Sequence, residues 1–549
     1  MTESQPEPAS ARVGWGIPLA FTAALLVASA FRYRDFGITW DEDIQGRYAE
    51  MLVRFYETRG KDGSAFAIRN LRHYGALFEL LAGALARLTP ATPFDTRHLA
   101  NACVGSLAVL AATRIAFRIG GALAACLTGV FLIATPLYIG HLFNNPKDVP
   151  FAAAMAVAQC AFLGAWDEMP RPRWWRLILL GVAAGAVLGT RPESLPLLAV
   201  IWILFAAAWT LGRGRHGPEP RRAMRELLLT SLAIGVIAWL VMLAFWPYAL
   251  RAPLRAPLEA FTLATHLNLR GQVLFAGSYV SSGRLPWSYL PRWSASVLPE
   301  FLALALAAGA AALGLRARSG APIATERFFK GLFVAGCAFV PVLAAMVMRP
   351  SLYDGVRHFI FVLPALAALA GAALAAFLVS PVALAVRAAT AAAVAALVGL
   401  TVVDMARIHP YEAAFFNRST GGLPGAATRF ETDYWLSSYK EAAEWLIANY
   451  GLGLPRKVRV AGLYESTPAT YYLLKTPEGR RRFHAVAPDD APHVVIATYR
   501  WDTWRKIDGR VLYVVERQGV PLAYVIETRR PLPFFAKNPR DDDPRLALR

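Results

Sequence analysis

Eleven apolar runs, most of them close to the about 20 residues that a bilayer-crossing helix needs, recur along this 549-residue chain. They lie at 14–30, 98–117, 121–140, 149–166, 177–190, 195–211, 228–246, 294–315, 331–348, 358–378 and 388–403. Backbone polar groups have no water to bond in hydrocarbon, so a chain of this pattern folds as a helical bundle. Composition agrees: 17% of residues are charged, against about 25% in soluble domains. The sequence therefore predicts a polytopic α-helical membrane protein of about eleven transmembrane helices.

Loop charge sets the expected orientation. With the N-terminus inside, the even loops carry the Lys and Arg: Arg114/Arg118, Arg171/Arg173/Arg176, Arg213/Arg215/Arg221/Arg222/Arg225, Arg316/Arg318/Arg327/Lys330 and Arg387. That distribution follows the positive-inside rule. It also accounts for much of the net charge of +19 without a nucleic-acid-binding patch. The apolar stretch 74–88 contains Glu79 and Arg87 and is short for a span; it reads as an interfacial amphipathic helix. Counting it as a span would put the basic loops outside. The four cysteines, Cys103, Cys126, Cys160 and Cys337, all fall in apolar runs, so no disulfide framework is implied. Ala28-Ser29-Ala30 has the small-residue form of a signal-peptidase site, but cleavage there would strip the next segment of its anchor.

From Asp404 onward the composition changes. Residues 404–549 hold 22 Lys/Arg and 17 Asp/Glu and no run long enough to span. Short β-like runs at 458–463, 493–498, 510–516 and 522–527, with a helical run at 438–448, predict a small α/β domain. The expected organisation is a membrane module, 1–403, and an extracytoplasmic domain, 404–549. The Pro- and Asp-rich tail after Arg530 is expected to be poorly ordered. The expected orientation has the N-terminus cytoplasmic and the C-terminal domain on the opposite side of the membrane.

Five polar constellations then fall on one predicted side: Asp41-Glu42 after the first span, His73-Tyr74, Asn144-Asn145-Pro146-Lys147-Asp148, Arg191-Pro192-Glu193, and Tyr353-Asp354-Gly355-Val356-Arg357-His358. Each has a plain structural explanation. Acids stabilise a helix start, Asn-Pro makes a turn, and Arg, His or Trp40 can anchor a span. Convergence of all five on one compartment favours a site. The segment 247–293 adds Tyr248, His266, Arg270 and Trp287, which suit either an aromatic belt or a groove for a lipid chain.

These features, in this order, resemble the GT-C membrane glycosyltransferases of the protein O-mannosyltransferase and lipid A aminoarabinose transferase group. The resemblance covers roughly residues 12–200 and rests on Trp40-Asp41-Glu42 after the first span and His73 opening a juxtamembrane helix. It rests also on Arg97 leading the second span and Asp148 opening the fourth. Asn417, Gly421-Gly422 and Asp433-Tyr434-Trp435 resemble a bacterial branch of such enzymes. One departure is His73-Tyr74-Gly75, where the family more often has His-Pro-Pro.

The resemblance implies a GT-C-like fold that transfers a sugar, with inversion, from a polyprenyl-phosphate carrier to an envelope acceptor that is protein, lipid or glycan. Chemistry fits that reaction. The acceptor must lose a proton to a positioned base, whereas a phosphate leaving group calls for cations rather than a second carboxylate acid. Asp41 is assigned as the base and Glu42 as its neighbour and orienter. His73, Lys147, Arg191, Arg357 and His358 are candidate phosphate or sugar contacts, with Asp354 in the same set. Asp148 and Glu193 would bind sugar hydroxyls or, with Asp41, a divalent ion; no other cofactor is implied. The rival reading is a lipid or sugar transporter, which ordinarily places its polar residues near the bilayer midplane.

Overall fold

The computed structural model describes residues 8–530 and 532, apart from 69–70, 213–219, 267–270, 321–325 and 454. Helix α1 (Pro8–Arg32) leads into α2 (Glu42–Glu57) and the short α3 (Leu77–Leu88). Next come α4 (Pro93–Ile133), α5 (Pro136–Leu142), α6 (Asp148–Ala165), α7 (Trp174–Thr190), α8 (Leu195–Gly212) and α9 (Pro220–Phe245). The connection that follows holds α10 (Pro247–Arg251), α11 (Arg255–His266), the hairpin strands β1 (Gln272–Phe275) and β2 (Ser278–Ser281), and α12 (Tyr289–Val297). The last long helices are α13 (Glu300–Arg318), α14 (Glu326–Met348), α15 (Leu363–Leu378) and α16 (Leu384–Ile408).

Among the described residues, nine helices are long and apolar enough to cross a membrane, and α7 is a shorter apolar one. Helix α4 counts twice. Gly121 sits at φ 76° and ψ −163°, a conformation open chiefly to glycine, and the chain doubles back there. Tyr138 Oη donates to Gly105 O at 2.6 Å and Asn101 Nδ2 to Leu142 O at 2.9 Å. Both partners in each pair lie almost equally far from Gly121, as the two arms of a hairpin must. With both arms and α7 counted, the apolar helices match the eleven expected runs. Several boundaries move: the run at 121–140 breaks between Ile133 and Pro136, the run at 294 starts as helix α13 only at Glu300, the run at 358 opens with a 3-10 turn (Arg357–Val362), and α16 continues to Ile408, past the expected domain limit of 403.

Packing fixes which ends share a side. Arg114 Nη1 donates to Gly14 O at 2.7 Å, whereas the His98 ring lies 3.3 Å from Tyr33 O, so α1 and the first arm of α4 run antiparallel. At the Gly14 end of the bundle gather Arg118, Asp167, Lys330, Arg171 and Glu226, linked by ion pairs. At the His98 end gather the five constellations.

After α16 the chain forms the short α17 (Gly422–Ala426), α18 (Tyr439–Asn449), β3 (Val458–Gly462), α19 (Thr467–Lys475), α20 (Pro477–Arg482), β4 (Phe483–Ala485), β5 (Val494–Thr498), β6 (Gly509–Arg517) and β7 (Val520–Thr528). The strands make one five-stranded sheet of order β4-β3-β5-β7-β6, with β3 parallel to β4 and β5 and the remaining pairs antiparallel. Central strand β5 is buried along its whole length, which explains its unbroken Val-Val-Ile-Ala run. The core of this domain also takes in Trp40, from the far end of the sequence. The tail beyond Arg530 lies, except for residue 532, outside the described residues, as do Arg213, Arg215 and Arg270.

Candidate functional site

The site grows from two loops that dock on each other. At Thr39-Trp40-Asp41-Glu42 the Glu42 side chain reaches back as in one half of a capping box: its carboxylate accepts from Thr39 N at 2.8 Å and Thr39 Oγ1 at 3.2 Å, and lies 2.9 Å from His98 Nε2. Glu42 is buried and fully engaged in holding the start of α2. Asp41, at the N-cap, makes no side-chain bond to the helix it precedes. The helix-start explanation therefore suits Glu42 and not Asp41, whose carboxylate turns towards Lys147 Nζ, 3.8 Å away.

Lys147 comes from the loop opposite. Asn144 Nδ2 donates to Gly37 O at 3.1 Å, and Asn144 O accepts from Thr39 Oγ1 at 3.3 Å. Asn145 Oδ1 accepts from Lys147 N and Asp148 N at 3.3 and 2.9 Å, so the turn-and-cap explanation of this motif holds as well. Its consequence is that Lys147 faces Asp41 while Asp148 faces the bundle interior. The Lys147 ammonium rests over the Tyr74 ring, 5.3 Å from its centre. Tyr74, Tyr48, Phe78, Pro146, Lys147 and Arg191 line a small cleft.

Asp148 heads a buried ladder of alternating charge. Its carboxylate is bound by Arg191, by Arg357 Nη1 at 2.9 Å and by Asn145 Nδ2 at 2.9 Å. Arg357 continues to Asp354 at 3.2 Å; Asp354 accepts from Arg500 Nη2 at 2.8 Å; Arg500 Nε reaches Glu431 at 2.8 Å. Trp435 Nε1 adds a bond to Asp354 at 3.3 Å and its ring covers the Arg357 guanidinium at 4.8 Å. Asp354 holds a left-handed backbone, φ 56°, which is uncommon for a residue other than glycine. Three cations and three carboxylates thus balance along Arg191–Asp148–Arg357–Asp354–Arg500–Glu431. Burial pushes the last carboxyl, Glu431, up to about 7, against the pull of Arg500.

The ladder and the Asp41–Lys147 pair take in six of the ten residues singled out from sequence. Glu193 lies 3.9 Å from Arg191, and the His358 ring packs edge-on against Tyr353. His73 stands apart from the ladder: it pairs with Arg72 Nε at 3.2 Å and packs on Tyr248. Burial and the Arg72 charge hold its imidazole below the ordinary histidine range. A divalent ion held by Asp148 would have to displace Arg191 and Arg357. Among the described residues no three His, Cys, Asp or Glu side chains converge as a metal-binding group. Sequence reasoning missed Arg500, Glu431 and His98. Of these only His98 carried a signal, sitting beside Arg97 at the head of the second run.

Comparison with known proteins follows the same lines. The family model described as dolichyl-phosphate-mannose-protein mannosyltransferase matches residues 84–250, a segment that carries Lys147, Asp148, Arg191 and Glu193. No curated protein matches the chain. Among solved structures it is similar to ArnT from Cupriavidus metallidurans bound to undecaprenyl phosphate, at 16% identity over 92% of this chain and 97% of that one, TM-score 0.49. It is also similar to the oligosaccharyltransferase AglB from Archaeoglobus fulgidus in complex with an inhibitory peptide and a dolichol-phosphate, at 10% identity over 94% and 75%, TM-score 0.46.

Proposed function

We propose that this chain is a membrane glycosyltransferase that moves a sugar from a polyprenyl-phosphate carrier to an acceptor at the cell envelope. The observation that carries the reading is the loosely paired Asp41–Lys147 couple at the edge of a cleft, flanked by Tyr74 and Arg191. The match of residues 84–250 to the mannosyltransferase family supports it. In the reaction, an acceptor heteroatom attacks the sugar's anomeric carbon and its proton passes to Asp41. The bond from that carbon to the phosphate oxygen breaks, and the carrier leaves as polyprenyl phosphate. One displacement inverts the anomeric centre.

Lys147 and Arg191 meet the phosphate. A phosphate arriving on Lys147 takes the place that the Asp41 carboxylate holds beside the ammonium. Glu42 is a positioning residue rather than a second base, because its oxygens already serve Thr39 and His98. Arg357, Asp354 and Asp148 shape the site from behind. The site faces outside the cytoplasm of a bacterial inner membrane, with the C-terminal domain on that side. Transport finds no favouring feature among the described residues, since the buried charges gather at the two ends of the bundle rather than at its middle.

The test is purified full-length protein incubated with a panel of polyprenyl-phosphate-linked sugars and an envelope extract. Transfer of label to extract material, with inversion at the anomeric carbon, is the expected outcome. Absence of transfer from every donor, in protein that binds undecaprenyl phosphate and stays folded, would overturn the reading.

A further inference from the structure

The C-terminal domain reaches into the site at more than one point. Tyr472 Oη accepts from Ile38 N at 3.0 Å, Trp435 O accepts from Trp40 N at 3.3 Å, and Lys440 Nζ donates to Asp35 O at 3.2 Å. These three bonds hold the strip of chain that presents Asp41. The Gly37 backbone runs so close to Ser437 O that a Cβ there would sit about 2.1 Å from it. Any larger residue would prise the strip off the domain.

Arg500 makes the deepest of these contacts. It lies two residues past the end of strand β5, just before two consecutive left-handed residues, Trp501 (φ 60°) and Asp502 (φ 53°). Its side chain is buried, with a relative exposure of 6%. One planar guanidinium serves three separate acceptors: Glu431 through Nε, Tyr434 O through Nη1 at 3.1 Å, and Asp354 through Nη2. It lies over two indoles, 4.2 Å from the centre of Trp501 and 5.4 Å from that of Trp40. Trp40 is the residue before Asp41, and Asp354 is the partner of Arg357. The same side chain therefore touches the neighbour of the base and the inner carboxylate of the ladder.

We propose that Arg500, supplied by the C-terminal domain, is a positioning residue of the transfer site, setting Trp40–Asp41 against the Asp354–Arg357 pair. This rests on the glycosyltransferase reading above. Arg500 does not touch the reacting atoms. Its effect passes through the placement of Asp41 relative to the cations, and small misplacements of reacting groups cost on the order of 10²-fold in rate. The role needs the guanidinium's geometry as well as its charge. A lysine ammonium offers the charge but cannot reach three acceptors in a plane.

The experiment compares full-length wild type, Arg500→Gln, Arg500→Lys and a control, Arg517→Gln, for kcat and donor KM in the transfer assay and for thermal unfolding. Arg517 also bridges within the C-terminal domain, to Glu441 at 2.7 Å, but away from the site. Both Arg500 variants should lose on the order of 10²-fold in kcat with donor KM within about threefold, and Lys should not rescue. Arg517→Gln should keep wild-type kcat. If Arg500→Gln fails to fold, the double variant Glu431→Gln/Arg500→Gln removes one of the stranded carboxylates, and its kcat decides. Wild-type kcat in any folded variant lacking Arg500, or full rescue by Lys, would overturn the assignment. A wild-type protein that transfers nothing would overturn the underlying function and this role with it.

Discussion

Lys147 and Asp148 are neighbours in sequence and belong to two different regions. The Lys147 side chain keeps 23% of its exposure and reaches Asp41 at 3.8 Å, beyond ordinary hydrogen-bond length. Asp148 keeps 2% and is gripped by Arg191, Arg357 and Asn145. The first pair can exchange partners, because little binding is lost when a substrate phosphate replaces the carboxylate. The second cannot, since removing one charge from a buried network leaves its partner uncompensated. The comparison assigns chemistry to the open pair and shape to the closed ladder, apart from Arg191, the ladder's outer end, which lines the cleft beside Lys147. Asp41 and Glu42 repeat the lesson one residue apart, with Asp41 facing Lys147 and Glu42 held by Thr39 and His98.

The largest effect should come from breaking the ladder. Asp354→Ala takes one carboxylate from both Arg357 and Arg500 and leaves the buried network one charge out of balance, and loss of one partner in a buried pair costs about 3–5 kcal/mol. Denaturant or thermal unfolding in detergent should show that loss, and an unchanged midpoint would mean that the ladder is not the scaffold described here. Next in size is Lys147→Ala. A charge-assisted bond to phosphate contributes about 1.5–3 kcal/mol, so apparent donor affinity should fall roughly 10-fold or more while unfolding barely moves. The reverse pattern would place Lys147 with the ladder.

Glu42→Gln should be milder. It keeps one acceptor oxygen but turns an amide N–H towards Thr39 or His98, at a cost in the capping range of about 0.5–2 kcal/mol. Stability should drop, and turnover should fall far less than for Asp41→Asn. If turnover collapses with stability intact, Glu42 is the base.

The smallest effect concerns pH. Both ring nitrogens of His409 lie within hydrogen-bond distance of carboxylates, Asp35 at 3.1 Å and Glu412 at 2.7 Å, so the bridge is complete only when both carry protons. The Glu412 bond chiefly raises the His409 imidazole above its ordinary value. Stability from this bridge is therefore fully present below the unfolded value of about 6.5 and is lost as pH rises through the higher folded value. His409→Gln should flatten the stability profile across that window by less than about 1 kcal/mol. An unaltered profile would remove His409 from the account.

Much of this fold was legible because hydrocarbon imposes it. Span length and loop charge gave eleven apolar helices, and the tight turn at Gly121 was visible from its Gly-Gly pair. The strands β3, β5, β6 and β7 showed as β-branched runs. Within the site, a loop motif announced each of Asp41, Lys147, Asp148, Arg191, Asp354 and Arg357, since charged residues beside apolar runs stand out. Arg500 and Glu431 did not. They lie in a domain where charge is common, and nothing local distinguishes a buried arginine from an exposed one. Their importance comes from tertiary packing against Asp354, which neither periodicity nor spacing encodes. Sequence also could not divide Asp41 from Glu42, because the difference lies in which carboxylate Thr39 and His98 occupy.

The central claim, that the open pair does the chemistry and the ladder holds it, meets its most direct test in Asp41→Asn. Asparagine keeps the side chain's size and removes only the proton acceptor. The measurement is kcat for sugar transfer by purified Asp41→Asn, with donor KM and unfolding midpoint recorded on the same preparation. The account predicts a fall of about 10²–10⁴-fold in kcat, with KM and midpoint close to wild type. Near-wild-type kcat, or a loss of kcat that merely tracks a loss of folded protein, would contradict it.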